Sequence, residues 1–164
     1  MPFPSLEFWE SIETSAIGAY VKESIWAYPA LETMHIIGLG LVFGSIIAFD
    51  LRVLGLHKDL PLARLAQHLL PWVWTGFVLN ATSGVLLFTS DAVDFSTNPA
   101  LQWKLGLIGL AGLNALVFQL RIKPGAAPWD RDAPAPAAAR LSAALSIILW
   151  VAIIIAGRMI AYTK

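Results

Sequence analysis

The sequence predicts an all-α membrane protein, a four-transmembrane-helix bundle with an N-terminal amphipathic interfacial helix. Three observations carry that prediction. Hydrophobic residues make up 57% of the 164 and charged residues only 13%, well outside soluble composition. Four apolar stretches each approach the roughly 20 residues that a bilayer-crossing helix needs. The segment before them repeats apolar residues at helical spacing beside acids.

That first segment, residues 1–28, places Leu6, Trp9, Ile12, Ala16 and Tyr20 on one side and Glu7, Glu10, Glu13 and Glu23 among them. The pattern is that of a helix lying in the interface, with Pro29 as its end. Its start has no basic stretch followed by a short apolar run, so the first spanning helix is expected to direct insertion itself. Residues 29–164 form the membrane domain, with helices at about 29–50, 67–88, 101–120 and 141–162. Pro71 should bend the second helix near the first loop. Gly40 and Gly44 on the first helix, and Gly106, Gly109 and Gly112 on the third, should let helix backbones approach closely.

The loops orient the bundle. Arg52, Lys58 and Arg64 flank the first loop and Arg121, Lys123, Arg131 and Arg140 the third, whereas the second carries Asp91 and Asp94. By the positive-inside tendency both termini face outward, periplasmic if the membrane is a bacterial inner membrane. The lipid bilayer is thus the first partner. Eleven basic against eleven acidic residues leave no global field to attract nucleic acid. The absence of cysteine excludes disulfides, thiolate zinc, iron–sulfur clusters and c-type haem attachment.

With orientation set, the rise of about 1.5 Å per residue sorts the polar side chains into two layers. The outer layer holds Glu32, His35, Asn80, Ser83, Lys104 and Arg158; the inner one holds Asp50, Arg52, His68, Asn114 and Arg140. Charges in apolar depth cost about 2.5–3.5 kcal/mol each on insertion scales, so they imply mutual pairing or a bound group. Glu32 and His35 share a helix face that continues through Gly38, Val42 and Ser45. Two readings follow: a structural hydrogen-bond network, or a cofactor site. In the second, His35 is the metal ligand, Glu32 and Arg158 support it, and Lys104 or Arg158 neutralises a carboxylate such as a haem propionate. His68 is a second candidate ligand. His35 and His68 lie about 20 Å apart in depth, too far to share one iron. Copper is the weaker alternative, with Met34 and Met159 near the outer layer. Asp50 and Arg52 are expected to meet Arg64, Arg121 or Arg140 near the first and third loops.

The set "ETMHIIGLGLVFGS", "DLRVLGL", "LLPWVWTGF", "NPALQWKLGLIGLAGLNALVF" and "AGRMIAY" resembles a family of uncharacterised bacterial four-span membrane proteins. The likeness runs from about Trp26 to Tyr162. It implies that Glu32, His35, Asp50, Arg52, Pro71, Trp72 and Arg158 are family motif positions, and it implies no activity. The Met-His-x-x-Gly start of the first helix is distantly similar to membrane domains of copper-resistance proteins and b-type cytochromes.

No nucleophile triad, H-E-x-x-H, phosphate loop or dinucleotide fingerprint occurs, so self-contained catalysis is not expected. The leading expectation is a small inner-membrane subunit holding haem b or a related redox cofactor. The rival is a cofactor-free structural or assembly subunit, self-associating or bound to other membrane subunits; a copper- or proton-handling protein is a third reading.

Overall fold

A computed structural model describes residues 5–122, 129–130 and 133–163. The described chain is all helical: α1 (Leu6–Glu13), α2 (Ala16–Glu23), α3 (Ala27–Leu54), α4 (Leu62–Thr89), α5 (Ala92–Thr97), α6 (Pro99–Val117) and α7 (Ala137–Met159). Four of these, α3, α4, α6 with its extension to Ile122, and α7, are long and apolar enough to cross a membrane. Of the basic residues used to orient the chain, Lys123 and Arg131 lie outside the described residues.

The single amphipathic helix expected before the bundle is two helices. Ser15 breaks it, because its hydroxyl accepts from the Gly18 N–H at 3.2 Å and starts α2 afresh. Pro29 ends nothing. It sits in the first turn of α3, where a missing N–H costs no helical hydrogen bond. At its other end α3 runs one turn past Asp50 and stops at Gly55, whose φ of 112° is left-handed. The Leu56 N–H reaches back to the Leu51 carbonyl at 2.9 Å, closing a glycine-terminated helix end.

α4 starts five residues earlier than its apolar run suggests, for a reason remote in sequence. Asp130 supplies its first partners: the Asp130 carboxylate accepts from the Ala63 N–H at 2.9 Å, and the Asp130 carbonyl accepts from the Leu62 N–H at 3.3 Å. α6 begins conventionally, with the Asn98 side chain accepting from the Leu101 N–H and Pro99 in the first turn. It ends in a π turn, Phe118–Ile122.

Two hairpins make the bundle. α3 lies along α4, α6 lies along α7, and the hairpins join through α3 and α7. The first is held by backbone contact: a Cβ on Gly38 would come within 2.8 Å of the Gly76 carbonyl oxygen. The expected close-packing glycines are elsewhere. Nothing lies within 4 Å of a Cβ built on Gly40, Gly44, Gly106, Gly109 or Gly112. The α3 stripe that packs is Gly38, Val42, Ser45 and Val53, the face shared with His35. Polar site and packing surface are therefore one face, not two opposite ones.

The second hairpin packs through Ala111, Leu149 and Ile153. Near the interhelical loops a larger cluster gathers Val53, Leu62, Phe118, Trp129, Ala139 and Ala143. Large apolar side chains such as Trp72, Trp74, Trp103, Leu110 and Ile148 cover the outside, as suits contact with lipid. Across the terminal end lies α1–α2, closed on itself by a 2.6 Å ion pair between Lys22 and Glu13 and fixed by Trp9 on Phe88, by Gly18 against the Thr89 carbonyl, and by the Val93 N–H donating to Glu13 at 3.2 Å.

Candidate functional site

Four helices contribute to one polar cluster in the half of the bundle nearer the termini. His35 projects from α3 towards α4, where Gly84 leaves the ring room: a Cβ there would stand 3.0 Å from its Cε1. Ser83, fully buried, donates its hydroxyl to the Leu79 carbonyl at 2.6 Å, one turn back. Its oxygen lies 3.2 Å from His35 Nδ1. With the serine proton already committed, the network assigns Nδ1 as the donor and leaves the Nε2 lone pair free to accept. Lys104 of α6 answers it, with Nζ 3.3 Å from Nε2. The Asn80 amide donates to the His35 carbonyl at 2.9 Å and fixes the backbone beneath the ring.

Lys104 reaches this position along α7. A Cβ on Gly157 would lie 3.6 Å from the Lys104 Cδ, Cε and Nζ, so that glycine is the groove the lysine stem follows. Among the described residues the ion pairs are those of Lys22 with Glu13 and Asp91, so no described acid balances the Lys104 ammonium. A half-buried cation facing an imidazole with no carboxylate beside it can receive an anionic group or exchange a proton with the ring.

The expected site residues separate into two sets. His35 and Lys104 come together. Glu32 is exposed on α3, and Arg158 turns outward to Tyr162, with Nη2 2.9 Å from the phenol oxygen and the guanidinium 5.2 Å from the ring centroid. His68 is exposed on α4 in the other half of the bundle. Met34 and Met159 are exposed as well. Among the described residues no three His, Cys, Asp or Glu side chains converge to hold a metal ion. Depth had put Asn80 and Ser83 in the right layer; Gly84 and Gly157 gave no signal, because what matters there is space.

The loop half holds a second polar centre. Arg52 is buried, yet it meets none of Arg64, Arg121 and Arg140, which are exposed. Its guanidinium instead donates to three carbonyls: Leu60 at 2.6 Å, Lys58 at 3.1 Å and Asp130 at 2.7 Å. A fork of donors suits main-chain oxygens left unpaired where helices end. Between α6 and α7, Asn114 and Ser142 bond each other reciprocally, side chain to side chain at 2.9 Å and amide to carbonyl at 3.0 Å.

Fold and site together define a class: a membrane-type bundle of two helical hairpins, clasped by an arginine at one end and carrying a histidine–lysine centre towards the other. The chain belongs to the family of unknown function DUF6644, whose model matches residues 8–163. No curated protein and no solved structure matches it.

Proposed function

We propose that this protein is a small bacterial inner-membrane subunit that holds a carboxylate-bearing redox cofactor, haem b foremost, at His35 and Lys104. The observation that supports it is the Lys104 ammonium on His35 Nε2 with no described acid beside it. Haem b calls on both groups, an imidazole nitrogen for the iron and a cation for a propionate. Lys104 would hold the carboxylate, and His35 Nε2 would then be free for the metal. His35 keeps its Nδ1 bond to Ser83, which holds the ring orientation. His68, exposed in the other half, would not share this site. The basic first loop supports periplasmic termini, so this centre lies in the periplasmic half.

The test is spectroscopic. Detergent-purified protein from haem-replete cells should show a Soret band and sharp reduced α and β bands, with iron near one per chain. His35→Ala should remove them while the protein still inserts.

One observation favours a second reading, a cofactor-free assembly subunit. Gly106, Gly109 and Gly112 on α6, and Gly40 and Gly44 on α3, are open to the outside. Exposed glycines on membrane helices suit close approach by another helix, whether from a second copy or another subunit. Gly44→Leu or Gly109→Leu should then release the partner from a detergent pull-down. A colourless, iron-free protein that loses its partner on those substitutions would select this reading.

A further inference from the structure

Asp50 takes no part in either polar centre described above. Only 6% exposed on α3, it has one carboxyl oxygen, Oδ2, with no hydrogen-bond partner. Ser146 of α7 is near the group, with no hydrogen bond to it among the described residues. The described charged residues at this end are otherwise placed. Arg52 spends its bonds on carbonyls, and Asp130 Oδ1 accepts from the first turn of α4. Arg64 and His68 on α4, Arg121 after α6 and Arg140 on α7 are exposed. None of them forms an ion pair with Asp50.

A carboxyl group so enclosed, with no described counter-charge, is one that a proton can neutralise. A hard divalent cation such as Ca2+ or Mg2+ would relieve the same problem but requires a shell of about six or more oxygens. The polar pair Asn114 and Ser142 on α6 and α7 is already committed to itself. A proton requires only the one orphaned oxygen.

We propose that Asp50 is a proton-binding site of the loop half, with Oδ2 taking up and releasing the proton near Ser146. The reaction balances as a carboxylate and a proton joining into a carboxylic acid. It is independent of the His35–Lys104 centre, and it gives the bundle a second titratable site in its other half.

Infrared spectroscopy of the full-length protein in detergent, recorded against pH in water and heavy water, tests this directly. Wild type should show the carbonyl stretch of a protonated carboxylic acid at neutral pH, shifted in heavy water and bleached under alkaline conditions. Asp50→Asn, a neutral isostere, should remove that band and leave thermal stability equal or higher. Should that variant fail to insert, Ser146→Ala keeps the carboxyl and should shift the band without abolishing it. Absence of the band from wild type, or its persistence unchanged in Asp50→Asn, would overturn the proposal. So would a band that disappears when sodium replaces choline in the buffer, which would assign the site to a metal cation.

Discussion

The two ends of the bundle carry their basic side chains in opposite ways. At the loop end Arg52 directs its donors to three main-chain carbonyls inside an apolar cluster with Val53, Leu62 and Trp129 close by. At the terminal end Lys104 meets only a histidine nitrogen, and the packing around it relies on glycines at 84 and 157. The first arrangement ties α3, the first loop and Asp130 together and commits three of the five guanidinium N–H donors, those on Nε and Nη2, to main-chain oxygens. The second leaves charge in reserve. The comparison teaches that burial of a basic residue in a membrane-type bundle is not itself a functional sign; what counts is whether its donors are consumed by the fold.

If that distinction is right, removing the two cations should have unequal effects. Arg52→Leu strands three carbonyls and should cost about 3 kcal/mol, from roughly 1–3 kcal/mol per buried unsatisfied group where water offsets part of the loss. Thermal unfolding in detergent would measure it. Next in size is Gly76→Ala, which forces a methyl against the Gly38 carbonyl and Leu41 and should cost about 1–3 kcal/mol in the same assay. Lys104→Met should change stability by no more than about 1 kcal/mol, the worth of one hydrogen bond, while weakening binding of the proposed anionic cofactor. A Lys104→Met protein as unstable as Arg52→Leu would erase the difference between the ends.

The smallest effect belongs to the strap formed by α1 and α2. The Lys22 ammonium, and then the Val93 N–H, hold the Glu13 carboxyl below its ordinary value of 4.5 against the opposing pull of desolvation. A depressed folded value means that the pair stabilises above pH 4.5 and that its contribution fades as pH falls through the lower folded value. Trp9 fluorescence, which senses Phe88 across 5.6 Å, should therefore change in acid in wild type but not in Glu13→Gln. The amplitude should be modest, because Lys22 is exposed and salt screens the pair.

Much of the architecture was legible in the sequence because it rests on local and repetitive properties. Apolar run length gave four spans, and charge balance separated basic loops from acidic ones. The departures arise where a distant residue or a backbone contact decides. Asp130 extends α4 across a separation that no local pattern records. Gly38, not Gly40 or Gly44, packs, because helix rotation about its axis is set by the partner and not by the motif. For the site, depth correctly grouped His35 with Lys104, Asn80 and Ser83. It also admitted Arg158 and Glu32, since depth carries no information about direction around a helix; Tyr162, one turn on, draws Arg158 outward.

The central claim is that His35 and Lys104 form a cofactor site, and the absorption spectrum of the purified protein tests it most directly. Oxidised and dithionite-reduced spectra with iron analysis should show a b-type haem near one per chain, lost in His35→Ala and weakened in Lys104→Met. A featureless, iron-free spectrum from haem-replete cells, or a haem signal that His35→Ala leaves intact, would contradict it.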